Sequence, residues 1–390
     1  MVALEPLRPV GEPSAVAGPG AGDARLPTVV SSALAKPLRR WWKRRSGAPV
    51  RTAMGRIDAC SPAFLTGWCV DAQRAPSPVD VFVNGTHLLR AAPNHRRDDL
   101  TALGLPAECG FVVLYPEPLT LTDVLEVRSA DGQPLDGSPN THHRERLSRL
   151  LNGIDPTTMS GLELGPLDRP TLSKARGPVA YIDHAPTEEL RAKYQGSPAA
   201  MVDLDRIQTV DYAWPSGSLR ARIPDGKTFD YAVAVHVMEH VADPIGWLGH
   251  LAEVIRPGGT ISLALPERSR CFDHRREPTR PADLIDAWIA RLDRPSPRQV
   301  FDHVAFISPL HLGTDLPALP DRSRLADALD AARRTAAGEY IDAHCNVFTA
   351  ASFRQCWAVI DSLGLLPLEL AALHDPYPGG DEFIVNLRRT

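Results

Sequence analysis

The sequence has no run of eighteen or more apolar residues, so no segment has the length and character of a transmembrane helix. Its first residues lack the basic-then-apolar order of a signal peptide. Only six of the 390 residues are cysteine (Cys60, Cys69, Cys109, Cys271, Cys345 and Cys356), and no two make a C-x-x-C pair. That scatter suits reduced thiols in a cytoplasmic protein better than a disulfide framework or a zinc ribbon. Charge of one sign is also missing: the net value of -4 gives no pull toward nucleic acid.

What is present is the composition of a globular protein, 43% hydrophobic and 23% charged, in a chain long enough for two cores. Residues 1–51 are rich in proline, alanine and glycine without a sustained period, which predicts a disordered tail. Inside it "RRWWKRR", Arg39 to Arg45, sets five basic residues around two tryptophans. Such a cluster suits an anionic membrane surface, making the protein peripheral at the inner face, or a partner protein; a solvated linker is the plainer reading.

From 52 to 140 the texture is that of strands. "VDVFVNG" alternates and ends on Asn84-Gly85, a hairpin signal, and "CGFVVLYP" and "DVLEVRS" follow between turn residues. A small antiparallel β-sandwich is expected. Its pattern resembles accessory β-domains of bacterial glycosyltransferases and surface-polysaccharide enzymes, which implies binding or spacing rather than catalysis. Residues 141–154 are expected to be a linker.

From 155 to 390, short apolar runs alternate with amphipathic ones: "SGLELG", "VAYIDH", "PTEELRAKY", "IQTVDY", "YAVAVHV", "PIGWLGHLAEVI", "TISLAL". That order predicts an α/β fold, a Rossmann-like sheet with helices on both faces. "DEFIVNLRR" reads as a last strand at the sheet's edge.

Ligands of such sheets sit at the carboxyl ends of the strands. After the first strand comes "ELGPLDRP", with Glu163 and Gly165 placed for a nucleotide-type loop. The dinucleotide fingerprint is missing there: Pro166 removes a donor, Leu167 replaces a glycine, and Asp168 would repel a pyrophosphate. A ligand without phosphates fits better, and S-adenosylmethionine is one. Asp183, after the second strand, is expected to take the ribose hydroxyls. Asp211 and Tyr212, ending the third, are expected at the adenine.

"HVMEH", His236 to His240, matches the H-x-x-E-H signature of zinc peptidases. That chemistry needs both histidines on one helical face, whereas "FDYAVAV" reads as a buried strand ending at His236, with a helix starting only at Asp243-Pro244. No third ligand stands out, Glu267 and Glu277 being the nearest choices. No metal is therefore expected, and a zinc hydrolase is the remote alternative.

"FDYAVAVHVMEHVADP" followed by "LAEVIRPGGTISLALP" resembles class I S-adenosylmethionine-dependent methyltransferases of the methyltransferase-11 type, in which an E-x-G loop, an Asp after strand two and the EHV-D and PGG elements serve the cofactor site. "LELGPLDRP", "RPSPRQVFDH", "DAHCNVFT" and "PGGDEFIV" resemble a bacterial subgroup linked to cell-surface glycan synthesis. The resemblance implies transfer of a methyl group to a sugar or glycan precursor, with Glu163, Gly165, Pro166, Asp183, Asp211, Tyr212 and His236 around the cofactor. A sugar hydroxyl needs a base. His236 is the first candidate because imidazole titrates near neutrality, and His240, Asp273, His274 and His303 are the others. Residues 268–346 are expected to cover the acceptor, with Arg276 and Arg298 as anion contacts and Arg169 at the cofactor's carboxylate. A non-catalytic scaffold for polysaccharide assembly, with a glycosyltransferase as partner, is the competing reading.

Overall fold

A computed structural model describes residues 53–195, 202–308, 320–377 and 380–390. The expectations for the tail and for Arg39 to Arg45 lie outside them.

The first described unit is two three-stranded antiparallel sheets. One pairs β1 (Met54–Cys60), β2 (Phe64–Val70) and β5 (Gly110–Leu114) in the order β1-β2-β5; the other pairs β3 (Val79–Val83), β4 (Thr86–Ala91) and β6 (Leu125–Ser129) in the order β4-β3-β6. Residues at alternate positions of both sheets, among them Leu65, Val79, Val81, Phe111 and Val127, form one buried core between them. Asn84 and Gly85 turn β3 into β4 with φ of 51° and 78°, the left-handed pair that a two-residue hairpin requires. This is the expected sandwich.

The segment 141–154 is not a linker. It carries helix α1 (His142–Leu150), whose Leu147 and Leu150 join Leu151 and Ile154 in a core with Tyr181, Tyr231 and Ile384. The run "HHRERLSRL" hides this because its inward face includes His143 and Arg146.

The second unit is a seven-stranded sheet of β7 (Gly161–Leu164), β8 (Val179–Asp183), β9 (Tyr212–Ala213), β10 (Phe229–Val235), β11 (Ile255–Pro266), β12 (Leu368–His374) and β13 (Glu382–Arg389). Their order is β12-β13-β11-β10-β7-β8-β9, with β13 antiparallel to both neighbours and the pairs from β11 to β9 parallel. Helices α2 (Thr187–Tyr194), α3 (Pro244–Val254), α4 (Pro281–Ala290), α5 (Pro297–Phe306), α6 (Arg322–Ala336) and α7 (Ala350–Ser362) accompany it. The chain runs outward from β7 to β9 and then returns to β10 on the other side of β7, so the order reverses between β7 and β10.

Three elements differ from the sequence reading. β13 lies inside the sheet, its first six residues all buried, and the half-exposed β12 takes the edge. β9 begins at Tyr212, so Asp211 precedes the strand instead of ending it. The Arg-Pro-Gly-Gly stretch does not separate helix from strand: α3 ends at Val254, and Arg256 to Gly259 make an irregularity within β11, between the pairs Phe229–Ile255 and Tyr231–Thr260. Any side chain at Gly259 would strike the Asp230 carbonyl, at 2.6 Å from an added Cβ.

Candidate active site

The carboxyl ends of β7, β8 and β10 converge at the point of reversal. At β7, Glu163 is buried and both its oxygens accept backbone N–H groups of the following loop, Thr171 at 2.6 Å and Leu172 at 2.9 Å. Burial pushes its carboxyl up to about 7. It therefore shapes the loop from inside. Gly165 has φ of +65°, and an added Cβ would lie 2.8 Å from Val237 Cγ2, so the loop and the turn after β10 are in close contact. Leu167, where a glycine was missed, still adopts φ of +42°. Pro166 is buried. Arg169 turns to the sandwich, its guanidinium 5.5 Å from the Phe64 ring centre.

Asp183 ends β8, is 8% exposed, and takes the His184 backbone N–H on Oδ1 at 2.7 Å. It occupies the strand end expected for a ribose ligand. Asp211 does not reach that end: its Oδ2 accepts Tyr181 N–H at 2.7 Å and pairs with Lys174 at 2.5 Å, fastening the start of β9. Tyr212 opens the two-residue β9, pairs with Ile182 next to Asp183 at the carboxyl end of β8, and has its hydroxyl 3.1 Å from Lys227 Nζ.

His236 follows β10 with φ of +53°, a strained conformation for a residue with a Cβ. Its N–H donates to the Ala264 carbonyl and its Nε2 lies 2.9 Å from Glu382 Oε2. Glu382 is buried and also receives a two-pronged contact from Arg146, at 2.5 and 3.0 Å. His236 is itself exposed; crowding of its ring by neighbouring groups works against its charge, but the bond to Glu382 and the charge of Glu239 outweigh that and raise the imidazole to about 9. Glu382 is held down to about 2, burial opposing and Arg146 and His236 prevailing. The premise that His236 titrates near neutrality is thus corrected: at pH 7 it is an imidazolium.

His240 sits in the turn Met238–His240, apart from His236, and presents Nδ1 to Asp342 Oδ1 at 3.0 Å. The two histidines are bound to different carboxylates on different elements, so the zinc-peptidase pairing does not form. The strand "FDYAVAV" and the Asp243 N-cap, accepting Gly246 N–H at 2.9 Å, produce this break.

Beyond β11 the chain brings a second layer. His344 presents Nδ1 to Asp273 Oδ2 at 2.6 Å, and Asp273 Oδ1 accepts from Arg276 at 2.8 Å. Burial opposes ionisation of Asp273, but His344 and Arg276 hold it at about 2. Arg276 is 2% exposed and also pairs with Asp302, so it is no anion contact. Arg298 is exposed, 3.5 Å from Asp283. His303, on α5, accepts the His344 N–H on Nδ1 at 3.3 Å; burial and the neighbouring His344 lower it to about 3, which makes it a weak base. His274 is half-buried and faces the Cys271 carbonyl. Glu267 caps the turn after β11 and the start of α7, and Glu277 is exposed.

The structure therefore gathers His240, Asp273 and His303 with three residues not picked from sequence: Glu239, Asp342 and His344. Glu239 lay inside the dismissed zinc signature, and Asp342 and His344 inside "DAHCNVFT"; those two stretches were the available signals.

A family profile described as "Methyltransferase domain" matches residues 140–360, more than half of the chain. The chain belongs to this methyltransferase family. S-adenosylmethionine is the methyl donor that membership implies, and Asp183 with the glycine-turned loop at Gly165 fits such a donor. No curated protein matches the chain. Among solved structures, the methyltransferase is similar to the CurJ carbon methyltransferase (11% identity, 62% of this chain and 51% of that one, TM-score 0.29). It is also similar to the CcbJ methyltransferase from Streptomyces caelestis (13%, 63% and 94%, 0.32). A third is the plantazolicin methyltransferase BpumL in complex with SAH (10%, 59% and 76%, 0.29). The match thus spans about half of CurJ's length. The profile, not these likenesses, assigns the class.

Proposed function

We propose that this methyltransferase transfers the methyl group of S-adenosylmethionine to a hydroxyl of a sugar or glycan precursor of a cell-surface polysaccharide. The observation that carries the hydroxyl reading is the group of imidazoles and carboxylates set against the turn after β10: His240 on Asp342, and His344 on Asp273. Polar acceptors are recognised by such fixed donors and acceptors. The glycan assignment adds the resemblance carried by "RPSPRQVFDH" and "DAHCNVFT".

The donor, when bound, would supply an activated methyl carbon to the acceptor oxygen. The protein's part is placement and proton handling. Asp183 would hold the ribose and Gly165 would let the loop approach. His236, protonated and bound to Glu382, would favour a nearby carboxylate of the donor over a base's role. His303 is too weak a base at about 3. The acceptor hydroxyl would then lie beside the Glu239–His240–His344 group, at the turn after β10.

Incubation of the purified full chain with S-adenosylmethionine and extracts of sugar precursors, read by mass spectrometry, tests this. Gain of one methyl on a hydroxyl supports it. Donor binding with no methylated sugar would favour the scaffold. For Arg39 to Arg45 we keep the lipid reading: loss of salt-sensitive binding to anionic vesicles on removing residues 1–50 would bear it out.

A further inference from the structure

We infer that Glu239, His240 and His344 form a site for one divalent transition-metal cation at the carboxyl end of β10. Their ligand atoms all lie within 4.8 Å of one another. Three ligands about 2.1 Å from a shared tetrahedral cation sit roughly 3.4 Å apart, so small side-chain rotations close the site.

The decisive observation is Glu239. It is 2% exposed, and neither carboxylate oxygen has a hydrogen-bond partner. Buried carboxylates normally take hydrogen bonds or a cation. His236 Nδ1 lies 3.7 Å from its Oε1, beyond hydrogen-bond reach, and His240 and His344 are its other imidazole neighbours among the described residues. A small cavity borders Glu239, Asp273 and His344.

The histidines are prepared in the same sense. His240 gives Nδ1 to Asp342 at 3.0 Å and His344 gives Nδ1 to Asp273 at 2.6 Å. A carboxylate on Nδ1 fixes the proton there and leaves the Nε2 lone pair for a metal, the carboxylate–histidine–metal arrangement. Asp273 is itself fastened by Arg276. The backbone is clamped as well: Asn346 N–H donates to the Glu239 carbonyl at 3.0 Å and Asn346 Nδ2 to the Val241 carbonyl at 2.6 Å, which lays His344 beside His240. His303 is not a ligand, because its Nδ1 accepts the His344 N–H and its Nε2 then carries the proton.

Two imidazoles and one carboxylate suit zinc, manganese or ferrous iron and not calcium or magnesium. Three protein ligands leave coordination open for an acceptor oxygen. That last clause rests on the methyl-transfer reading; the metal site itself does not. The earlier expectation of no metal concerned His236 paired with His240, and this site replaces His236 by Glu239 and His344.

The test is calorimetric titration of the full chain, stripped with chelator, with Zn²⁺, Mn²⁺ and Mg²⁺ separately. One Zn²⁺ or Mn²⁺ site per chain is expected. His344→Ala and Glu239→Gln should each weaken it at least 100-fold, and Asp273→Asn about 10- to 100-fold through His344. Melting and S-adenosylmethionine titration of each variant establish folding; should Glu239→Gln fail to fold, His344→Ala carries the test. Unchanged Zn²⁺ affinity in folded His344→Ala, or Mg²⁺ bound in preference to both other ions, would overturn the site. A chain that binds metal but no S-adenosylmethionine would sink the proposed function and leave the site standing.

Discussion

Glu382 sets the charge of the histidine that follows β10. Because His236 is raised from 6.5 to about 9, its contribution to stability is complete below pH 6.5 and is lost as pH rises through 9. Glu382 is lowered from 4.5 to about 2, so its contribution is present above pH 4.5 and is lost as pH falls through 2. Glu382→Gln should remove the alkaline part of this profile and leave Arg146 buried without its partner. Breaking a buried pair costs about 3–5 kcal/mol. Melting curves from pH 5 to 10 check both points; equal slopes for variant and parent between 7 and 9 would refute the coupling. A second residue-scale outcome concerns Asp183→Ala, which should weaken S-adenosylmethionine by about 1.5–3 kcal/mol, as lost hydrogen bonds to a buried carboxylate do. Undiminished affinity on titration would place the ribose elsewhere. Sequence alone pointed to Asp183 because strand ends in such sheets carry ligands. It missed Glu382 and Arg146 because they meet across 236 residues, a pairing that no local pattern marks.

The loop after β7 is the element on which the cofactor reading leans. Gly165 lies at φ +65° with Val237 close by, so Gly165→Ala meets both a backbone penalty of about 1–2 kcal/mol and a steric one. We expect a lower melting temperature and weaker S-adenosylmethionine binding together; a variant that melts and binds like the parent would show the loop to be free to move. Elements were legible where one period dominated. β10 and α3 stand out as an apolar run and an amphipathic helix. β13 was found but misplaced at the edge, since periodicity gives a strand's existence and not its neighbours. β12, "LELAALH", was missed because Leu, Glu and Ala favour helix, and only pairing with β13 makes it a strand. α1 was read as a linker because its buried face contains Arg146, neutralised by a residue far along the chain.

On the scale of the whole molecule, the sandwich touches the methyltransferase unit at the loop after β7, the one proposed to hold the cofactor. Arg206 donates to the Tyr115 carbonyl, Arg176 to the Pro118 carbonyl at 2.9 Å, Ser173 to Glu117, and Arg169 lies over Phe64. Residues 169 to 176 belong to the stretch whose N–H groups hold Glu163, and Leu167 O accepts from Gln208 N at 2.8 Å, linking that stretch to the Arg206 segment. The two units were legible separately, from the change of period near residue 140. Their contact was not, because the Arg176 and Arg206 acceptors are backbone carbonyls, which every residue carries, and Ser173 and Glu117 meet across 56 residues. If the sandwich buttresses the loop, Arg176→Ala combined with Arg206→Ala should weaken S-adenosylmethionine binding while leaving both cores intact. Two charge-assisted bonds at a partly exposed contact are together worth about 1–3 kcal/mol, or roughly 5- to 150-fold in affinity if all of it reaches the loop. Titration of the double variant, with tryptophan fluorescence to confirm the buried Trp68 of the sandwich, gives the answer. Affinity equal to the parent's, with both units folded, would reduce the sandwich to a tethered module with no part in holding the cofactor.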